Sequence, residues 1–157
     1  CGVTVSLDDA ETLKRDYGCA MLGLTADNTL IEVPLADGRG WFEVSRRQIN
    51  EILEARAEEL FLYVRQEATR VGMDQSLLEG VVLTGGGARL NGLCDMAERV
   101  LNCPAKFGLT AGIRDWPQNF LDPAWTTGAG LAMYAARLDE RGDDRRRGPG
   151  FWGFFGW

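Results

Sequence analysis

The residues whose types and spacing could do chemistry are Gly85, Gly86 and Gly87, with Arg89 just beyond them. They stand between an apolar, β-branched run at 81–83 and an amphipathic run at 91–101, a pattern of strand, tight turn and helix. Glycine lacks a Cβ, so a second backbone or a ligand reaches contact distance at such a turn. The amides that open the following helix present the positive end of its dipole. That combination suits a phosphate, and a nucleotide is the leading ligand. The same glycines also serve a plain strand-to-helix connection, and this stretch alone does not separate the two. Two familiar phosphate loops do not fit: a Gly-x-Gly-x-x-Gly fingerprint needs glycine where Leu90 stands, and no Gly-Lys-Ser/Thr follows.

Composition narrows the chemistry further. The 157 residues include no histidine, which removes His-based triads, imidazole general bases and His metal sites. Cys1, Cys19, Cys94 and Cys103 show no Cys-x-x-Cys spacing and read as reduced thiols of a cytoplasmic protein. A net charge of -6 argues against a general nucleic-acid binder, whose phosphate contacts need a basic surface. With 45% hydrophobic and 25% charged residues, the chain has ordinary globular usage and length for one domain with a core. It carries no signal peptide or membrane-spanning run. It starts at Cys in the middle of a pattern and reads as a piece of a longer protein.

The elements that must position these residues follow from local signals. Ser6 is an N-cap ahead of Asp8 and Asp9, predicting a helix that runs to about Tyr17 and stops at Gly18. Glu11 and Lys14 share one face of it, a spacing that by itself implies only a solvated ion pair. Short strands are expected at 20–24 and 29–33 with a turn through Asp27-Asn28, then a turn-like stretch at 35–40 and a strand at 41–44. Ser45 and Gln48 form a capping box, and Ile49, Ile52, Leu53, Ala57, Leu60, Phe61, Val64, Ala68 and Val71 recur at helical spacing. This long helix ends near Gly72 and should pack on a sheet; its apolar positions hold no strict heptad, so a coiled coil ranks second. A strand at 105–109 and a loop at 110–121 with Trp116-Pro117 come next. Asp122-Pro123 starts a last helix, whose Gly128, Ala129, Gly130, Ala132, Ala135 and Ala136 imply close packing up to about Leu138. Residues 139–150 are charged, without an apolar face, and read as a flexible linker.

Leu83-Thr84-Gly85-Gly86-Gly87-Ala88-Arg89-Leu90 resembles the adenosine motif of the actin-like ATPase superfamily. Glu11-x-x-Lys14-x-x-x-Gly18-x-Ala20 resembles that superfamily's second adenine-side element, at roughly the upstream distance where the family places it. Lys14 through Ala20, the Ile31-Glu32-Val33-Pro34 run and the long helix from Arg46 together are most similar to the FtsA family, over about residues 8–138. The resemblance implies an α/β fold of ribonuclease H-like, actin-like type: a mixed sheet flanked by helices with a small inserted α+β subdomain. Residues 1–138 would be the second lobe, with subdomain IIB at about 11–45 and IIA making up the rest. It also implies roles. Glu11 would hydrogen-bond ribose hydroxyls and Lys14 would lie against the adenine and ribose edge. Gly85, Gly86 and Gly87 would admit the ribose and α-phosphate, and Arg89 would stack its guanidinium plane on adenine, which suits arginine better than lysine. The implied cofactor is ATP, with magnesium in the complete protein. Both phosphate hairpin loops of the superfamily are missing here, so the fold is incomplete, no catalytic or metal-binding residue is assigned, and this chain should neither hydrolyse ATP nor bind it tightly.

The FtsA resemblance further implies a cell-division scaffold that polymerises and tethers FtsZ to the septum, on the cytoplasmic face of the bacterial inner membrane. Its partners would be the FtsZ carboxyl-terminal tail, other copies in a filament, other divisome proteins and the anionic membrane surface. Arg39, Arg46, Arg47 and Asn50 lie in the region matching the FtsZ-tail site. The end of the chain adds its own signal. Arg145, Arg146 and Arg147 precede Phe151, Trp152, Phe154, Phe155 and Trp157. Aromatic rings favour the headgroup region, and each arginine adds about 1 kcal/mol toward anionic lipid. Residues 151–157 therefore resemble the start of a membrane-targeting segment, although Gly150, Gly153 and Gly156 disfavour a helix there. The alternative is another actin-like ATPase: an MreB-like or pilus-assembly protein, a chaperone or a sugar kinase.

Overall fold

The computed structural model describes residues 5–25, 29–36, 38–73 and 79–146. Its elements in chain order are α1 (Leu7–Tyr17), β1 (Leu30–Pro34), β2 (Trp41–Ser45), α2 (Arg46–Arg70), β3 (Val81–Leu83), α3 (Leu93–Leu101), β4 (Ala105–Phe107) and α4 (Thr126–Arg146), with short 3-10 turns between several of them. The expected caps are in place. The Ser6 hydroxyl accepts the Asp9 N–H at 3.1 Å. At the start of α2 the Ser45 hydroxyl accepts the Gln48 N–H at 3.2 Å, while the Gln48 side chain accepts the Ser45 N–H at 3.1 Å. Each bond serves an amide that the first turn of a helix leaves without an intrahelical acceptor.

The core is built on α3. Leu93, Met96, Ala97, Val100 and Leu101 are buried along one stripe of that helix, at the 3–4 spacing of an amphipathic surface. They pack on Ala57 and Phe61 of α2 and on Ala20 and Cys103, with Val81 and Leu83 of β3 and Ala105 of β4 at the margin. So α2 packs chiefly on a helix, and the expectation that it lies on a sheet is corrected. Its apolar stripe is wider than α3 covers: Leu60 and Val64 face an open apolar groove of about 500 Å³ shared with Val82 and Leu83. The expected mixed sheet is also corrected. The described strands form two separate pairs, β1–β2 antiparallel (Leu30 opposite Ser45) and β3–β4 parallel (Val81 opposite Ala105). The mixed α/β class stands, and β3–β4 with α3 between them is a parallel crossover unit.

Three further expectations change. Residues 20–24 are not a strand; Cys19 makes a single parallel bridge to Asn91, and Leu22–Leu24 is a 3-10 turn. Side chains of α2 take the place of a neighbouring strand, because the Asn50 carbonyl accepts the Cys19 N–H at 2.8 Å and Glu54 accepts the Leu22 N–H at 3.1 Å. The last helix continues past Leu138 to Arg146, so the first part of the expected linker is helical. Its small residues are not closely packed: Ala129 is buried, whereas added Cβ atoms at Gly128 and Gly130 would meet nothing within 4 Å. The turn expected at Asp27-Asn28 lies outside the described residues.

Candidate functional site

Two segments some seventy residues apart in sequence meet at one cavity. α1 supplies Glu11, Lys14, Arg15 and Asp16, and the chain beyond β3 supplies Gly86, Gly87, Arg89, Leu90 and Asn91. With Gly18 they line a space of about 490 Å³, within the range of small-ligand pockets. Two contacts hold the walls together. The Ala20 N–H donates to the Asn91 carbonyl at 2.7 Å, continuing the Cys19–Asn91 bridge. Gly18 ends α1 in close approach to its neighbours: a Cβ there would stand 2.2 Å from the Lys14 carbonyl oxygen, 2.7 Å from Leu53 Cδ1 and 3.1 Å from Leu90 Cδ1 of the opposite wall.

The glycine turn is built by its own backbone. Gly85 has φ 84° and ψ 172°, a region nearly closed to side-chain-bearing residues. Its N–H donates to the Pro123 carbonyl at 2.8 Å. Gly86–Arg89 then forms a 3-10 turn in which Ala88 donates back to the Gly85 carbonyl at 3.1 Å. The amides of Gly86 and Gly87 open this turn without an intrahelical acceptor, and an added Cβ at either position meets nothing within 4 Å. This corrects one detail: α3 does not follow the glycines directly, since the 3-10 turn and Gly92, its N-cap, come first.

Of the six residues assigned to the nucleotide, Glu11, Lys14, Gly86, Gly87 and Arg89 line the cavity, whereas Gly85 shapes the turn from behind it. Lys14 Nζ lies 2.5 Å from Glu11 Oε2, and Arg89 Nε lies 3.4 Å from Asp122 Oδ2. Arg15, Asp16 and Asn91 were missed. Arg15 and Gly18 stand four and seven residues after Glu11, on the same helical face, so the spacing already pointed to them. The cavity thus brings together three cations, two carboxylates (Glu11 and Asp16) and two glycines with open space over them.

The residues read for a partner are more scattered in role. Arg46 and Arg47 open α2. Arg46 Nε donates to the Tyr17 carbonyl at the end of α1 at 2.9 Å, and Arg47 Nε pairs with Glu51 at 3.0 Å. Arg39 sits in the turn between β1 and β2. Asn50 is 0% exposed; its amide accepts from Cys19 and donates to Thr25 Oγ1 at 3.2 Å. A direct contact by Asn50 is thereby corrected to a supporting role under the 19–25 segment. In the membrane segment, the backbone at Arg145 and Arg146 closes α4, while Arg147, Phe151, Trp152, Phe154, Phe155 and Trp157 lie outside the described residues. No helix among the described residues is long and apolar enough to cross a membrane.

Comparison with known proteins decides the family. The family model described as "Cell division protein FtsA" matches residues 1–130. This chain belongs to the FtsA family. Similar relatives include the cell division protein FtsA of Pseudomonas aeruginosa, 32% identical over 133 residues, covering 85% of this chain and 32% of that protein. FtsA of Escherichia coli K12 is 30% identical over 142 residues, covering 86% of this chain and 34% of the relative. FtsA of Agrobacterium fabrum is 32% identical over 141 residues, covering 88% and 32%. The chain thus spans about a third of the length of the FtsA relatives it matches, and that third contains both walls of the cavity.

Proposed function

We propose that this chain forms the adenosine-binding wall of an actin-like cell-division scaffold, which binds ATP in its complete form. One observation carries the reading: the Glu11/Lys14 face of α1 and the glycine turn with Arg89, distant in sequence, line one cavity. In this reading Glu11 accepts from ribose hydroxyls and Lys14 lies along the nucleoside edge. Arg89 offers its guanidinium face to the base, and the open backbone at Gly86 and Gly87 admits the sugar and first phosphate. ATP supplies a structural ligand that fixes the lobe's shape; magnesium and the outer phosphates would be held mostly by residues beyond this chain. Gly86→Val tests it. A valine side chain at this position points into open space, so the fold should survive while adenine-nucleotide binding is lost; retained affinity would remove the assignment.

The family resemblance supports two further parts of the proposal. Arg39, Arg46 and Arg47, around the start of α2, would receive the acidic carboxyl-terminal tail of FtsZ. Reversing the charge of Arg46 and Arg47 should weaken that peptide and flatten the salt dependence of its binding. The arginines at 145–147 and the aromatic residues at 151–157 would hold the protein on the cytoplasmic face of the inner membrane at the division site. There, weak single contacts add along a filament of many copies that also recruits other divisome proteins. Liposome sedimentation with and without residues 148–157, at varied anionic-lipid content, tests this: no dependence on either would exclude the anchor.

A further inference from the structure

We propose that Asp122, which does not line the cavity, is a positioning residue that orients Arg89 toward the bound nucleoside; this rests on the nucleotide reading above. The carboxylate is fixed before it meets Arg89. Asp122 Oδ1 accepts the Ala124 N–H at 2.8 Å, capping the 3-10 turn Pro123–Trp125 that leads into α4. That leaves Oδ2, which faces Arg89 Nε at 3.4 Å. The next residue grips the other end of the same turn, since the Pro123 carbonyl accepts the Gly85 N–H at 2.8 Å. One corner of the chain thus holds the glycine turn at its first residue by a backbone bond and at its last side chain by charge. At 3.4 Å through Nε the engagement is longer than a good hydrogen bond, so the carboxylate orients the half-exposed guanidinium by charge. An arginine left to itself keeps many rotamers, and ordering them on binding opposes affinity; an ion pair formed beforehand removes part of that cost. The corner is itself anchored, by the Thr126 hydroxyl donating to the Gly108 carbonyl at 3.0 Å, so the start of α4 and the end of β4 share in setting the site.

The test compares the 157-residue chain with Asp122→Asn, Arg89→Ala and the double variant, using adenosine as probe in a nuclear magnetic resonance titration. Adenosine is neutral, so removing a negative charge does not itself favour it, as it would favour ATP. Asparagine caps a helical turn as well as aspartate, so the thermal midpoint should hold in Asp122→Asn. Asp122→Asn is expected to weaken adenosine about two- to fivefold and Arg89→Ala about tenfold, with the double variant no weaker than Arg89→Ala alone. Full additivity in the double variant, or unchanged affinity in Asp122→Asn beside a weakened Arg89→Ala, would overturn the positioning role. Adenosine binding that survives Arg89→Ala unchanged would overturn it as well. No binding to any of the four chains would remove the nucleotide reading and with it this role, a result distinct from the other three.

Discussion

Gly85→Ala set against Gly86→Ala separates backbone strain from space. At Gly85 the backbone sits at φ 84° and ψ 172°, where an added Cβ meets no neighbour within 4 Å, so the whole cost lies in the dihedral angles. Residues held in that region cost about 1–3 kcal/mol. If the turn relaxes to escape that strain, the 2.8 Å bond from the Gly85 N–H to Pro123 is lost instead, at about 0.5–1.5 kcal/mol. Gly85→Ala should therefore destabilise the chain by about 1–3 kcal/mol. Gly86 has equal space in an ordinary helical-turn conformation, so Gly86→Ala should be neutral or stabilise by about 0.4–1 kcal/mol through the unfolded chain. Urea unfolding followed by circular dichroism reads both. With a slope of about 1–3 kcal/mol per molar urea, the Gly85 variant should unfold about 0.3–3 M earlier and the Gly86 variant no earlier than the parent. Equal midpoints for the two variants, or a Gly85 variant matching the parent, would refute the assignment of strain to Gly85.

Other perturbations read other parts of the molecule. Asn50→Ala leaves the buried Cys19 N–H without its 2.8 Å acceptor and should cost about 1–3 kcal/mol in the same urea assay; a change below about 0.5 kcal/mol would contradict the supporting role given to that amide. Gly18→Ala forces a Cβ to within 2.2 Å of the Lys14 carbonyl, so it should both destabilise the chain and lower nucleoside affinity, and loss of neither would be incompatible with the close approach described. Burial pushes the Cys94 thiol above its usual range, and the negative charges of Asp95 and Glu98 push it further. Since only the thiolate alkylates, iodoacetamide at pH 8 should modify Cys94 more slowly than a free cysteine. Asp95→Asn should speed the reaction by lowering the pKa, and an unchanged rate would exclude the Asp95 contribution.

Local signals with a single physical outcome were legible from sequence alone. Ser6 and Ser45 each have one good use, as caps, and both are caps. The strand, glycine turn and helix at 81–101 were legible because their apolar periods differ, and because Gly85 needs a conformation that a side chain resists. Signals that depend on what lies opposite were not. Residues 20–24 carry strand-like composition, yet the Cys19 amide just before them and the Leu22 amide within them are answered by Asn50 and Glu54 of α2, more than thirty residues away. Nothing in the sequence marks those side chains as different from other polar residues on the helix. The small residues of α4 read as a packing face because a helix without large side chains usually has a close neighbour; among its described side chains only Ala129 is buried, and Gly128 and Gly130 face open space. At the site, Glu11 and Lys14 were found through family likeness, since their spacing alone meant a surface ion pair. Arg15 was within reach of the same helical arithmetic. Asp122 was read only as a helix start, because its second role depends on the tertiary meeting with Arg89.

The most direct test of the central claim, that α1 and the glycine turn form one nucleoside wall, is a two-dimensional ¹⁵N nuclear magnetic resonance titration of the 157-residue chain with adenosine and ATP. Weak binding is expected from half a cleft. Millimolar ligand should shift the amides of residues 11–18 and 85–91 together, with one common affinity, and leave β1, β2 and the outer face of α2 unmoved. Shifts confined to one of the two segments, different affinities for the two, or no shifts at saturating concentrations would contradict it.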